Sequence, residues 1–463
     1  MSQNNDTPLH IAMYPWLAMG HITSFLRIGN KLAKRGHKIS FFLPPKTQLR
    51  FTSQNHHPEL ITFIPIELPL VEGFPVGAET TNDISTEARP LLMTAMDMTK
   101  DTIETHLLTL KPNFVFFDFT CWLPELAHKH GIKSIYYFSA LLVRVAYTFH
   151  LSATSPIGDL IPESHLMSPL PSFPSPFMKH KAHEAKSFAG AFNVDFGGGL
   201  TLIERVVKSI RESDAIGIKT CKEMEGVYCE FFEKKYGKPV LTAGPVLPDP
   251  ISVKLDDRFD TWLAGFGSGE VVYCAFGSEC TLELLPFQEL VLGLELTGRP
   301  FLAALKPPRG YETIESALPE DFLKRTKGRG IVYGGWVQQQ LILRHPSVGC
   351  FVTHCGAGSL SEVMVNNCQI VMIPNAVDQF MNARLMSLEL RVGVEVDTRE
   401  DDGFFFREAV REAVEAVMEV DSEVGREVRA NHTKWREFIL KDGVEETYIS
   451  GFIQKLYELR FEL

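Results

Sequence analysis

Residues 336–379 of this 463-residue chain have the residue types and spacing best suited to chemistry. An apolar run, Val348–Thr353, is typical of a buried strand of a parallel sheet, and it leads directly into His354 and a glycine-rich turn. Residues 360–365 then have the apolar spacing of a helix. A strand, a glycine-rich turn and a helix start together expose backbone N–H groups at the positive end of a helix dipole. This pattern predicts an anion-binding site.

Aromatic and polar side chains around that turn are suited to the rest of a nucleotide-like ligand. Trp336 lies upstream and can stack on a flat ring. Glu362 lies one turn into the predicted helix and can accept hydrogen bonds from a sugar diol. Asp378 and Gln379 follow a second apolar run, residues 370–373, and offer further hydroxyl acceptors. An aromatic platform, an anion site and two sets of hydroxyl acceptors are the groups needed to hold a nucleotide sugar.

A candidate general base lies far upstream, at the turn from the first predicted strand into the first predicted helix. This residue is His21, and histidine is the usual base for a hydroxyl that is barely acidic at neutral pH. Asp118 directly follows the apolar run 114–117, where a buried carboxylate calls for a partner. A carboxylate beside a histidine fixes its tautomer and stabilises the imidazolium. His21 and Asp118 are therefore predicted to form a pair that activates a hydroxyl.

Each of these residues has a simpler interpretation when it is taken alone. His21 can be a capping or core histidine, and Asp118 can merely cap the helix that follows it. A lone tryptophan such as Trp336 is usually core, Glu362 can be a solvated charge, and His354 can be structural. The presence of all five in one chain favours the catalytic and ligand-binding interpretation.

The composition argues against several broad classes of protein. The chain is 45% hydrophobic and 22% charged, as globular enzymes are, and its net charge of −11 argues against nucleic acid as a partner. No apolar run approaches the roughly 20 residues that span a bilayer, and residues 1–7 are polar without being basic, unlike a signal peptide. The eight cysteines follow no paired spacing, so we expect free thiols and a cytoplasmic location.

Short apolar runs alternate with helical patterns in two halves of the chain. Strands separated by helices predict an α/β fold with a doubly wound parallel sheet in each half. Two such Rossmann-like domains facing across a cleft form the GT-B architecture, with ligands beyond the carboxyl ends of the strands. Strands are predicted at residues 9–13, 38–42, 60–65, 114–117 and 134–138 in the first half, and at residues 271–276, 301–305, 330–333, 349–352 and 370–373 in the second.

Residues 336–379 closely resemble, over their whole length and in register, the signature box of the plant UDP-glycosyltransferases, a branch of the inverting family 1 glycosyltransferases. By this resemblance, Trp336 would stack on uracil and the backbone of Val337 would bond its edge. Gln339 and Glu362 would hold the ribose hydroxyls. The resemblance further implies a diphosphate site at His354, Gly358, Ser359 and Ser278, a donor-sugar site at Asp378 and Gln379, and a catalytic dyad of His21 and Asp118. For Ser278, a role as a helix N-cap is the alternative.

The resemblance also assigns roles to the segments of the chain. Residues 1–238 would bind the acceptor, residues 239–262 would form a proline-rich linker, and residues 263–440 would bind the UDP-sugar. Residues 441–463 would form a last helix that packs back on the first domain. Residues 155–189, rich in Pro, Ser, His and Phe and without a period, predict a long loop over the acceptor site.

The implied reaction is a single displacement that inverts the anomeric carbon of a UDP-sugar co-substrate. We expect no metal ion, because the acidic pair at residues 256–257 lies in the predicted linker. We also expect a monomer. The aromatic residues of the first half can form a flat acceptor site or a packed core, and the core is favoured for most of them: Phe116, Phe119, Trp122 and Phe138.

Three stretches, residues 15–26, 301–330 and 335–356, look most like the branch that adds a sugar to a sugar already attached to a flavonoid or terpenoid. The expected acceptor is an anthocyanin or flavonol 3-O-glycoside, with a triterpenoid glycoside as the alternative. Gln379 favours glucose as the donor sugar. Ala357 and Gly358 stand where the family usually has Trp and Asn, so xylose and rhamnose stay open as donors.

Two other classes of protein fit parts of the pattern. A dinucleotide-dependent oxidoreductase would also have Rossmann-like halves. It would need a G-x-G-x-x-G turn after the first strand, which residues 14–21 lack. A protein that binds a nucleotide sugar without catalysis would not need His21 beside Asp118.

Overall fold

The computed structural model describes residues 7–154, 162–247, 253–277 and 279–461. They form two parallel β-sheets, one in each half of the chain. The first sheet contains β1 His10–Tyr14, β2 Lys38–Leu43, β3 Ile61–Pro65, β4 Phe114–Phe117, β5 Lys133–Phe138, β6 Ala215–Ile218 and β7 Val240–Thr242. The second contains β8 Val271–Ala275, β9 Phe301–Ala304, β10 Gly330–Tyr333, β11 Val348–Thr353, β12 Gln369–Met372 and β13 Gly393–Glu395.

Both sheets are doubly wound, which confirms the predicted GT-B fold. The strand orders are β3-β2-β1-β4-β5-β6-β7 and β10-β9-β8-β11-β12-β13, and all neighbours run parallel. The order reverses between β1 and β4 in the first sheet and between β8 and β11 in the second. At such a point the connections leave toward opposite faces and open a crevice at the carboxyl ends of the strands.

Helices surround the sheets and account for the burial of both sheet faces. They are α1 Met19–Ala33, α2 Pro45–Phe51, α3 Arg89–Asp97, α4 Lys100–Leu110, α5 Leu123–Lys129, α6 Leu142–Thr154, α7 Glu163–Leu166, α8 Ala182–Phe192, α9 Leu202–Glu212, α10 Lys222–Tyr236, α11 Asp257–Leu263, α12 Leu284–Leu296, α13 Phe322–Arg325, α14 Gln339–Arg344, α15 Ala357–Val363, α16 Val377–Arg384, α17 Arg407–Met418, α18 Glu423–Leu440 and α19 Val444–Phe461. No helix of the described ranges is both long and apolar enough to cross a membrane.

The core explains why the strands read as continuous apolar runs. Every residue of β4, β6, β8 and β12 is buried, as expected for a parallel sheet that is covered on both faces. The aromatic residues considered for an acceptor site follow the same rule, since all four are buried and pack in the first half: Phe116, Phe119, Trp122 and Phe138. The interpretation as packed core is therefore correct for them.

Two predicted connections differ from the structure. β7 is the edge strand of the first sheet, so the predicted linker 239–262 begins inside that sheet, and it also contains most of α11. Prolines next to a short run suggest a linker, but an edge strand tolerates them as well. In the predicted loop 155–189, the structure has α7 and the start of α8, so that prediction is wrong there. Residues 155–161 lie outside the described ranges.

The last helix returns to the first half of the chain. Glu445 of α19 pairs with Lys31 of α1 across 3.2 Å, and Glu446 pairs with Arg35, just after the end of α1. Near its other end, the Tyr457 hydroxyl donates to the backbone oxygen of Thr7 at 2.9 Å. These contacts hold α19 against the end of α1 and against the segment that precedes β1.

A buried ion pair joins the two halves at another place. Arg384 of α16 donates from Nη2 to both carboxylate oxygens of Glu184 of α8, at 2.6 and 2.7 Å. Only 7% and 3% of these two side chains are exposed. Arg384 also pairs with Glu395 at the end of β13. The helix that begins just before Asp378 and Gln379 is thus fixed to the first half.

Candidate active site

His21 and Asp118 meet at the reversal point of the first sheet. α1 begins at Met19, so His21 lies in its first turn rather than in the turn before the helix. Its Nδ1 is 2.6 Å from Asp118 Oδ2. The other oxygen of Asp118 accepts hydrogen bonds from the backbone N–H groups of Trp16 and Phe119, at 2.6 and 2.8 Å. Because a carboxylate only accepts, Nδ1 of His21 carries the proton and Nε2 is left as the basic nitrogen.

Burial differs sharply within this pair. Asp118 is fully buried, whereas 22% of the His21 side chain is exposed. The carboxylate is therefore screened from water by the protein, and the imidazole can reach a ligand. Neither the capping nor the core interpretation explains a half-buried histidine fixed by a buried carboxylate.

The glycine-rich turn lies at the reversal point of the second sheet, where β11 leads into α15. Cys355 has a φ of 67° in the left-handed region, so the chain turns sharply there. Gly358 and Ser359 lie in the first turn of α15, whose backbone N–H groups have no partner inside the helix. The His354 ring packs beside this turn against Gly277, where an added Cβ would come within 2.9 Å of the imidazole. Burial lowers the pKa of His354 to about 4, so its ring is neutral at physiological pH.

Glu362 has three side-chain partners in this structure. Its Oε2 accepts a hydrogen bond from Gln339 at 2.9 Å, and its Oε1 accepts from Gln340 at 3.1 Å. Arg27 of α1, in the other half, donates to the same Oε1 at 3.0 Å. Gln339 also donates to the Ser359 hydroxyl at 3.2 Å. Glu362 is therefore a hydrogen-bonded and ion-paired carboxylate that faces the cleft, and the interpretation as a solvated surface charge is wrong.

Trp336 is 82% exposed, so the interpretation as a core tryptophan is wrong. It lies with Val337 at the cleft between the two halves. An indole face left in water beside a cleft can stack on a planar ligand.

Asp378 and Gln379 lie in the first turn of α16, after β12. Gln379 Oε1 accepts a hydrogen bond from the backbone N–H of Asn375 at 2.9 Å. Asp378 is close enough to His354 for its charge to oppose the lowering of the imidazole pKa. Ser278, the remaining predicted diphosphate residue, lies outside the described ranges.

The cleft between the halves has a volume of about 670 Å³. Its second-half wall is lined by the predicted uridine and phosphate residues Trp336, Val337, Gln339, Gly358, Ser359 and Glu362. Its first-half wall includes Gly20, next to His21, together with Arg27 and Lys219. The structure thus brings most of the predicted donor residues together on one wall. His354, Asp378 and Gln379 lie around α15 and α16 but do not line this cavity.

Two charged residues of the first-half wall escaped the sequence analysis, namely Arg27 and Lys219. Arg27 lies within an amphipathic helix, where a basic residue carries no special signal. Lys219 directly follows β6, just as Asp118 follows β4. A charged residue at the end of a buried parallel strand is the signal that pointed to Asp118, but β6 itself was not predicted because Gly217 interrupts a short run.

Two doubly wound sheets, one with a histidine–carboxylate pair and the other with a pocket suited to a nucleotide sugar, define a glycosyltransferase of the GT-B class. Residues 312–423 match the family described as "UDP-glucoronosyl and UDP-glucosyl transferase". The chain is 52% identical over 97% of its length to the cyanidin 3-O-galactoside 2''-O-xylosyltransferase FGGT1 of Actinidia chinensis, covering 98% of that protein. It is 50% identical over 98% of its length to the anthocyanidin 3-O-glucoside 2''-O-glucosyltransferase of Ipomoea nil, covering 98% of that protein.

The protein therefore belongs to the UDP-glycosyltransferase family and is an enzyme of that family. A solved structure has the same fold throughout. The UGT73P12 enzyme of Glycyrrhiza uralensis, complexed with glycyrrhetinic acid 3-O-monoglucuronide, superposes with a TM-score of 0.80, covering 98% of this chain and 96% of the other at 21% identity.

Proposed function

We propose that this protein transfers a sugar from a UDP-sugar to a sugar hydroxyl of an anthocyanin or flavonoid 3-O-glycoside, with inversion of the anomeric carbon. The observation that carries this proposal is the His21–Asp118 pair beside a cleft whose opposite wall presents Trp336, Gln339 and Glu362. The names of the two enzymes compared above, which act on an anthocyanidin 3-O-glucoside and a cyanidin 3-O-galactoside, support the acceptor.

In this mechanism, His21 is the general base. Asp118 holds its Nδ1–H, so Nε2 presents a free lone pair. Nε2 takes the proton of the acceptor hydroxyl while that oxygen attacks the anomeric carbon from the face opposite UDP. The bond between the anomeric carbon and the phosphate oxygen breaks, and its electron pair leaves with UDP. Asp118 then stabilises the imidazolium until the proton is lost to solvent.

The leaving diphosphate would lie at the first turn of α15. The free backbone N–H groups of Gly358 and Ser359 would donate to the oxygen atoms on which negative charge develops. His354, neutral because of its burial, would donate one N–H and no charge. Since the pKa of His354 lies at about 4, its titration falls below the pH range in which a histidine base works.

The uridine would be held by an aromatic stack and by hydrogen bonds. Some of these hydrogen bonds would replace ones that the side chains now make with each other. Uracil would stack on the exposed face of Trp336 and bond the backbone of Val337. Ribose hydroxyls would bond Gln339 and Glu362, which in this structure bond each other at 2.9 Å. Each hydrogen bond lost between the side chains is replaced by one to the ligand.

For the donor sugar we propose glucose, with xylose as the alternative. Asp378 and Gln379, at the start of α16, would bind its hydroxyls. Gln379 supports glucose by resemblance to the family. Ala357, the first residue of α15, leaves a small side chain beside the sugar and supports xylose, as does the name of the Actinidia enzyme.

We further propose that the enzyme works in the cytoplasm, as a monomer and without a metal ion. All eight cysteines are free and seven of them are buried, as in proteins of reducing compartments. The absence of a metal stays a prediction, and turnover after dialysis against a chelator tests it. Acceptor binding by the first half also stays a prediction.

The proposal is tested by a donor-by-acceptor panel. UDP-glucose, UDP-xylose and UDP-rhamnose are each incubated with cyanidin and quercetin 3-O-glucosides, and the products are analysed by NMR. We expect a new β-linked glucose on the sugar of the acceptor. Transfer only to a free aglycone hydroxyl would overturn the proposal that a sugar hydroxyl is the acceptor. Transfer only from UDP-xylose would overturn the proposal that glucose is the donor sugar.

A further inference from the structure

The diphosphate site has little positive charge on the second-half wall. His354 is neutral, Gly358 has no side chain, and the Ser359 hydroxyl already accepts from Gln339. A diphosphate brings about two to three negative charges into a partly closed cleft, where uncompensated charge is costly. The compensating charge has to come from elsewhere in the cleft.

Three cationic side chains of the described residues line the cleft, namely Arg27, Lys219 and Lys306. Arg27 already pairs with Glu362. Lys306 is exposed to solvent at the rim. Lys219 is half-buried on the first-half wall, and among the described residues it has no hydrogen bond or ion pair to its Nζ.

Keeping a charged amine in such a partly buried place costs free energy unless an anionic ligand compensates its charge. Burial lowers the pKa of Lys219 to about 7, the Arg27 guanidinium lowers it further, and Glu362 opposes both. These are the charges that face Lys219 from α1 and α15. A lysine without a partner in a cleft is stabilised when an anion enters.

We propose that Lys219 is the residue through which the first half binds the diphosphate of the UDP-sugar and neutralises UDP as it leaves. This inference rests on the proposed function, because it places UDP in the cleft. It adds a donor-binding residue from the acceptor side of the cleft. Closing the two halves around a donor would then assemble one diphosphate site from both walls.

The test compares UDP with uridine, which lacks the diphosphate. Affinities of both ligands are measured by calorimetry for the native enzyme, Lys219→Met and Lys219→Arg. We expect Lys219→Met to weaken UDP binding on the order of tenfold or more, as for loss of a charge-assisted hydrogen bond, with uridine affinity unchanged within about twofold. Lys219→Arg should regain most of the UDP affinity. Equal losses for both ligands, or no loss for UDP, would overturn the proposal.

Proton uptake gives a second, independent readout. An anion raises the pKa of the amine it contacts, so binding is tightest below the free pKa and weakens as pH rises through it. At pH 8 the free amine is mostly neutral, so UDP binding by the native enzyme should take up close to one proton. The number is obtained from binding heats in buffers of different ionisation enthalpy. Lys219→Met should take up none, and the same uptake in both proteins would refute the role of Lys219.

These outcomes separate the inference from the function on which it rests. If the native enzyme transfers sugar while Lys219→Met binds UDP normally, the inference is wrong and the function stands. If the native enzyme binds neither UDP nor a UDP-sugar, both are wrong.

Discussion

Two carboxylates on opposite walls of the cleft are held in different ways. Asp118 is fully buried, and its partners are two backbone N–H groups and the ring of His21, all from its own half. Glu362 faces the cleft, and its partners are the flexible side chains of Arg27, Gln339 and Gln340. Arg27 belongs to the other half of the chain.

The difference separates a fixed catalytic group from an exchangeable binding group. Backbone N–H groups cannot turn away, so Asp118 keeps one geometry whether or not a substrate is present. Side-chain amides and guanidinium groups change rotamer readily, so they can release Glu362 when hydroxyls of a ligand arrive. Changes at the first site should therefore affect the rate of the chemical step, and changes at the second should affect donor binding.

The largest effect is expected for His21→Ala, which removes the base. General bases contribute about 10²–10⁴-fold, so kcat should fall by that factor while UDP affinity is unchanged. Turnover is measured as UDP release and affinity by calorimetry. A variant that keeps full turnover would show that another group takes the proton.

A smaller but still large effect is expected for Asp118→Asn. The amide cannot stabilise an imidazolium and permits the wrong tautomer, so kcat should fall by about 10²-fold or more with little change in the KM for the donor. The matched variant is Glu362→Gln, for which we expect the donor KM to rise about tenfold with kcat nearly unchanged. Steady-state kinetics with both substrates varied distinguishes the two. If both variants change the same constant, the contrast between the carboxylates is lost.

An intermediate effect is expected for Trp336→Ala. Stacking of a base on an aromatic ring contributes about 1–3 kcal/mol, so the affinity for UDP and for uridine should fall by that amount. Trp336→Phe is the control, since it keeps an aromatic face and should keep most of the affinity. Unchanged binding by the alanine variant would mean that uracil lies elsewhere.

The smallest effect is expected for Arg27→Gln. A partly exposed ion pair contributes about 0–1 kcal/mol, and the guanidinium competes with ribose for Glu362, so UDP affinity should rise by at most about fivefold. Arg35→Gln, just beyond the end of the same helix and away from the cleft, should leave UDP affinity unchanged. A large loss of affinity in Arg27→Gln would mean that this arginine binds the donor itself.

Local patterns predicted much of the fold. The long buried strands, such as β1, β2, β8 and β11, were found because a parallel sheet covered on both faces requires continuous apolar runs. Three short strands were missed. β6 contains a glycine, β7 lies between prolines, and β13 has only three residues. Their strand conformation is imposed by pairing with neighbours rather than by their own sequence.

The site shows the same limit. Local sequence was enough to recognise the catalytic pair, because His21 and Asp118 each come after a predicted strand. The donor residues were recognisable because they lie in the segment that resembles the signature box of a known family. The pairing of Arg27 with Glu362 could not be recognised from the sequence, because the two residues are 335 positions apart. The halves that bring them together meet only in the folded chain, so no local spacing records the contact.

The buried pair of Glu184 and Arg384 has a consequence for motion. A buried charge that loses its partner is destabilising by about 3–5 kcal/mol, so this pair should stay intact, and this side of the molecule should act as a pivot when product leaves. The pivot lies on the helix whose first turn contains Asp378 and Gln379, whereas Trp336 is exposed at the open end of the cleft, its mouth. We expect the mouth to widen most, so that UDP exits with its uracil end leading while the sugar-binding end of the cleft stays covered.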